Sequence, residues 1–320
     1  MSSGSEFARR FAPDAVDALD GFEAAAWGEA IRSDRVELVE RVAVVCAEQH
    51  SLVPLAPPPA LAAGAGRDPG SWSGADGADG ADGADRADRA DRAVLDFARR
   101  FSVDVASITP AQRAAFSESL GNQAATMTPV IFVMDFVPRA RAALDALAGQ
   151  GVDHAGAEPI SGLSTVPIWE ALVTLARVVP RLEALDPVTA EVVRLRGARQ
   201  HQCRLCKSLR SRPALLAGGD ESVFVGVDDY EHSDLTPSQK AALAFTDAMI
   251  WTPARITGSV PRLLEWFSPA QSVELVFDVT RNALNKIAVA LEADAAHVDE
   301  GIEIYDLDAE GNPLYGLTLD

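Results

Sequence analysis

The chain is short of most residues that commit a sequence to a particular chemistry. Of its 320 residues, only three are cysteine and five histidine. Cys46 stands alone, and Cys203 and Cys206 form a Cys-x-x-Cys; that is no disulfide framework of a small secreted domain. Such usage fits a reducing compartment, so a cytoplasmic protein is expected. Basic residues are scarce as well: 28 Lys and Arg against 47 Asp and Glu leave a net charge of -19. Sequence-independent nucleic-acid binding draws its affinity from Lys and Arg neutralising phosphates, which excludes that class of partner. Long apolar runs are also missing. "TPVIFVMDFVP", from Thr128 to Pro138, is about half the roughly 20 residues that cross a bilayer. The first residues hold no apolar core followed by a small-residue cleavage site. Neither a membrane partner nor a secretory leader is expected.

What the chain does have is 48% hydrophobic residues, enough to fill a globular interior. Strand-like alternation is rare. Apolar residues recur at three- and four-residue spacing in 93–101, 130–147, 167–179, 187–200, 238–250 and 270–291, which predicts an all-α fold. Three helix starts share a signature: "TPAQ" at Thr109, "TPSQ" at Thr236 and "SPAQ" at Ser268. Each offers a hydroxyl N-cap, Pro at the first helical position and Gln at the third, the residues of a capping box.

The sequence also repeats itself. "VLDFARRFSVDVASIT" (Val94 to Thr109) lies without a gap on "ALAFTDAMIWTPARIT" (Ala242 to Thr257), and "VMDFVPRARAAL" (Val133 to Leu144) resembles "VFDVTRNALNKI" (Val276 to Ile287). An acidic-apolar helix precedes each: "VELVERVAVVCAE" and "AEVVRLRGARQHQ". Two related helical units follow from this, 15–150 and 165–293, with an acidic extension over 294–320. A low-complexity loop, 74–92, falls in the first unit; its "ADG" triplets read as flexible chain, and its "ADR" triplets lead into helix. The aspartate spacing there fits no calcium loop.

Only "EVVRLRGARQHQCRLCKSLR", from Glu191 to Arg210, has the look of a reactive site. In a straight helix Glu191 and Cys203 would lie about 18 Å apart, so a turn at 200–202 and a second helix from Cys203 are needed to bring them together. That places both thiols in a first helical turn, where unsatisfied N–H groups and Arg204, Lys207 and Arg210 favour thiolate. It also puts Cys206 and Arg210 on one face, and an ion pair of Glu191 with Arg210 across the hairpin is expected. His201 is the only imidazole nearby and a candidate base. Three readings compete: a structural zinc site, which lacks a second ligand pair; two inert buried cysteines; and a dithiol redox centre, which the spacing, helix start and local charge favour.

With acid, cysteine pair and following helix in place, the segment resembles the carboxymuconolactone decarboxylase superfamily, in its alkylhydroperoxidase D branch. That branch has a Glu twelve residues before the first Cys, Cys-x-x-Cys, and a His four residues after the second. Glu191, Cys203 and Cys206 match, and "LTPSQKAALAFTDAM" and "ALNKIAVAL" resemble the helices that follow. The likeness covers about 165–292, with the first unit resembling a degenerate copy. It implies two alkylhydroperoxidase D-like units and a homo-oligomer, trimer or dimer. It further implies a cofactor-free, metal-free thiol oxidoreductase in which Cys206 attacks a hydroperoxide, Cys203 resolves the sulfenic acid and Glu191 joins the proton relay, with a dithiol protein as reductant. Arg210 stands where that branch has its histidine, and a guanidinium cannot relay protons near neutral pH. The alternatives are a non-redox lyase of the same scaffold, using Glu191, His201 and Arg210 on a small organic acid, or a catalytically silent homologue.

Overall fold

The computed structural model describes residues 3–64, 81–149 and 162–319. The chain is mainly helical. Its first half runs α1 (Ser3–Ala8), α2 (Pro13–Arg32), α3 (Val36–His50), α4 (Pro59–Gly64), α5 (Ala81–Asp104), α6 (Pro110–Leu120) and α7 (Ala124–Leu147). The second runs α8 (Ile168–Val178), α9 (Pro187–Gln200), α10 (Arg204–Ser208), β1 (Leu209–Ser211), α11 (Arg212–Leu216) and α12 (Glu221–Val225). It continues through α13 (Pro237–Trp251), α14 (Val260–Leu264), α15 (Pro269–Ala283) and α16 (Asn285–Ala290) to β2 (Glu303–Leu307) and β3 (Pro313–Leu317).

All three capping boxes form. Thr109, Thr236 and Ser268 each accept from the backbone of the Gln three residues on, whose side chain takes the cap's own N–H. Two orphan donors are thus satisfied at the start of α6, α13 and α15.

The low-complexity segment is helical in its "ADR" half as expected and departs from expectation at the last "ADG" triplet. Residues 74–80 lie outside the described residues, but 81–92 are helix, part of α5. The last "ADG" triplet joins the helix because one glycine costs only about 1 kcal/mol, which the Ala- and Arg-rich stretch behind it offsets.

The apolar run around Thr128 is the spine of the molecule. Every residue of α7 from Met127 to Leu147 is buried, with α1, α2, α3 and α15 packed around it. Pro129 and Pro138 lie inside this helix, and its packing on all sides outweighs the hydrogen bonds they remove. From the second repeat, α8 lies against α2, and one apolar cluster extends through both repeats. Among the described residues no helix is long and apolar enough to cross a membrane.

Strand structure enters where the sequence showed only an acidic extension with a turn. β2 and β3 form an antiparallel hairpin, and β1 adds to it in parallel, pairing Leu209 with Glu303 and Ser211 with Tyr305. Asp308 closes the hairpin by accepting from the N–H groups of Glu310 and Asn312. The two hairpin strands are five residues each and β1 is three, too short for alternation to stand out in the sequence.

The two halves of the chain share a backbone turn. A left-handed residue follows both α3 and α9, Ser51 at φ 54° and Gln202 at φ 55°. In both, the next N–H returns to a carbonyl five residues back, Leu52 to Ala47 and Cys203 to Ala198, each at 3.0 Å. This registers His50 with His201, and Leu52 and Leu55 with Cys203 and Cys206.

Candidate functional site

The expected turn between α9 and the cysteines is present. Asp186 caps α9 by accepting from Thr189 N–H at 2.9 Å, and Gln202 reverses the chain. Cys203 is the N-cap of α10, its sulfur accepting from Cys206 N–H at 3.1 Å. α10 has five residues, not the longer helix expected. Cys203 and Cys206 are joined as a disulfide. Cys203 is 1% exposed, whereas Cys206 is half-buried. Cys46 is a free thiol buried in the core, where desolvation pushes its pKa up.

The expected Glu191–Arg210 pair does not form. Glu191, buried on α9, is held by Arg194 one turn on, with Nε to Oε2 at 2.6 Å and Nη2 to Oε1 at 2.7 Å. Sequence spacing had put Arg210 opposite Glu191, but an i,i+3 partner on the same helix is closer and needs no hairpin geometry. Arg194 also donates to the carbonyls of Cys206 and Leu209, both at 2.8 Å, and its guanidinium lies 5.3 Å from the Tyr305 ring centre. Glu191 therefore acts on the cysteine turn through Arg194 and the backbone.

Arg210 does not share a face with Cys206, because α10 ends at Ser208 and Arg210 lies in β1. Its guanidinium turns to Glu221, at 2.6 and 2.9 Å, and to the carbonyls of Lys207 and Leu209. The other local cations are also engaged: Arg204 pairs with Asp294, and Lys207 donates to Gln202 at 3.0 Å. No guanidinium or ammonium donates to either sulfur among the described residues.

His201 is 4% exposed, a buried side chain at a turn where a solvated one is the ordinary outcome. Its Nδ1 lies 3.1 Å from Oδ1 of Asn285, and Nδ2 of Asn285 donates to Cys206 Sγ at 3.4 Å. Nε2 has no hydrogen-bond partner among the described residues, and the residue lines a slot of about 10 Å³ with Arg139, Lys286 and Trp251. Burial, then the charges of Lys286 and Arg139, push the imidazole pKa down to about 3, so it stays neutral.

Behind His201 lies a charge cluster that sequence reasoning missed. Asp135 of α7 accepts from Lys286 Nζ and Ser102 Oγ, both at 2.5 Å, and pairs with Arg139. Arg139 reaches His50 Nε2 at 2.7 Å. All five side chains are buried. Burial opposes ionisation of Asp135, but Arg139 and Lys286 hold its pKa well below the carboxylate range. The Lys286 pKa is pushed down to about 8, chiefly by desolvation. The signal was available: a lone Asp in "VIFVMDFV" and a lone Lys in "NKIAVAL" interrupt otherwise apolar stretches.

A cleft of about 570 Å³ opens beside the turn, lined by Gln202, Arg204, Lys207, Arg113, Glu292 and Asp294. Glu191, His201 and Arg210 do not line it, so the three groups assigned to a lyase do not converge on this cleft. No group of three or more His, Cys, Asp or Glu among the described residues is placed to hold a metal.

No family model matches the chain, and no solved structure matches it. Two proteins of Mycobacterium tuberculosis, from strains CDC 1551 and H37Rv, are each 44% identical to it over 228 residues, 70% of this chain and 80% of the relative. Both are described only as uncharacterized.

Proposed function

The chain belongs to the family of those two mycobacterial proteins, and from its own cysteine turn we propose that it is a cofactor-free thiol oxidoreductase of alkylhydroperoxidase type. The observation that carries the reading is the Cys203–Cys206 pair, closed at the start of α10 with one sulfur sheltered and the other half-buried. In this reading the Cys206 thiolate attacks the outer oxygen of a hydroperoxide. The O–O bond breaks, Cys206 becomes a sulfenic acid, and the alkoxide leaves as an alcohol after taking a proton. The Cys203 thiol then attacks the sulfenic sulfur, the disulfide forms and water leaves. Two thiols of an external dithiol protein return the pair to the reduced state by exchange. The resemblance to the carboxymuconolactone decarboxylase superfamily supports this on Glu191, Cys203 and Cys206, and brings with it a homo-oligomer, trimer or dimer.

The reading departs from that family in its protons. Arg210 pairs with Glu221 and Glu191 with Arg194, so in this reading the leaving alkoxide takes its proton from solvent at the half-buried Cys206. The test is a thiol count under denaturing conditions. The fully reduced chain, given one equivalent of an organic hydroperoxide, should fall from three titratable thiols to one, and Cys206→Ser should keep both of its thiols. A wild-type chain that retains all three sinks the proposal.

A further inference from the structure

We propose that Asn285, oriented by His201, is the hydrogen-bond donor that stabilises the Cys206 thiolate when the disulfide opens. The inference rests on the dithiol reading and supplies what replaces the absent histidine. Asn285 makes the one side-chain hydrogen bond to Cys206 Sγ among the described residues, at 3.4 Å. A lone amide has two nearly isosteric orientations, one donating to the sulfur and one presenting a carbonyl oxygen that would repel a thiolate.

The choice is made behind it. His201, Lys286 and Arg139 line one slot, Nε2 has no hydrogen-bond partner among the described residues, and cations beside the ring favour a lone pair there over an N–H. The ring proton is therefore on Nδ1, which must find an acceptor. Asn285 Oδ1 is that acceptor, 3.1 Å away, and this turns the NH2 group to Cys206. A buried pair of cations beside the ring thus fixes a tautomer, the tautomer fixes an amide, and the amide supplies a donor to sulfur. The donor interacts weakly with a neutral thiol sulfur and strongly with the thiolate, since charge-assisted hydrogen bonds are about twice as strong as neutral ones. Such a difference lowers the thiol pKa.

The remaining charged groups near the turn are committed elsewhere: Arg194 to Glu191, Arg204 to Asp294, Arg210 to Glu221, and Lys207 to Gln202. His201 does not touch the sulfur and acts as a positioning residue.

The experiment uses the full chain with Cys203→Ser, leaving Cys206 as the accessible thiol, and follows iodoacetamide labelling of Cys206 by mass spectrometry across pH. The parent's apparent pKa should lie below the ordinary thiol value of about 8.5. Asn285→Leu should raise it by about one unit. Asn285→Asp, isosteric but bringing a negative charge, should raise it further, and His201→Phe should raise it less than either. Overlapping profiles for parent, Leu and Asp chains overturn the proposal. If both Asn285 variants fail to fold by circular dichroism, the parent decides: an apparent pKa at or above about 8.5 overturns it. Labelling consumes neither hydroperoxide nor reductant, so a failed peroxide reaction and a failed Asn285 role are told apart.

Discussion

Arg194 holds the cysteine turn through four hydrogen bonds, two to Glu191 and one each to the carbonyls of Cys206 and Leu209. Removing one member of such a buried pair leaves the other charge without a partner, at a cost of about 3–5 kcal/mol, while replacing both with apolar groups costs far less. Arg194→Met and Glu191→Met should each be strongly destabilising in urea denaturation, and the double variant less so than either single one. Additive losses would mean that the two side chains act independently. At this scale the sequence gave up its residue types but not its pairings. Glu191, Cys203 and Cys206 were legible from spacing; the partner of Glu191 was not. Two arginines lay within reach by sequence, and only the break of α10 at Ser208 sends Arg210 away.

Among the elements, the helices declared themselves through Pro, capping hydroxyl and Gln, all local signals. The hairpin of β2 and β3 did not, because its third partner, β1, comes from about ninety residues earlier in the chain. That pairing ties the extension to the cysteine turn, and Asp294 ties it again. Its carboxylate accepts from Arg204 N–H at 2.8 Å, and its carbonyl accepts from Leu205 N–H at 2.9 Å. Asp294 thus satisfies donors at the start of α10, as a cap does, from a distant segment. Losing such a contact costs about 1 kcal/mol, or about fivefold in the population of an opened turn. Asp294→Ala should accordingly speed reduction of the Cys203–Cys206 disulfide by dithiothreitol about fivefold, read by quenched thiol labelling. An unchanged rate would leave the extension without influence on the turn.

Across the whole molecule, the two halves of the chain meet at a buried charge cluster on α7, which makes stability depend on acid. Desolvation first, then neighbouring cations, push the pKa of His201 down to about 3 and that of His50 down to about 4. Below the unfolded value of about 6.5, the unfolded chain takes up protons that these folded imidazoles refuse, so their contribution falls as pH drops. Burial pushes the carboxyls of Glu23 and Asp278 up to about 7. They bind protons in the folded state first and act in the opposite sense, so the readable quantity is a difference between chains. Between pH 7 and pH 5, His201→Gln should lose about 2 kcal/mol less than its parent in urea denaturation. Parallel pH profiles would show that His201 is solvated. The cluster was not visible in the sequence, since it draws on α3, α5, α7 and α16 at once. One consequence lies in the shared turn. Ser51 and Gln202 bend the chain alike, yet leucines occupy the first turn where cysteines occupy the second. The protein thus carries its own sulfur-free twin, an internal blank against which any property of the dithiol turn can be measured in the same molecule and solvent.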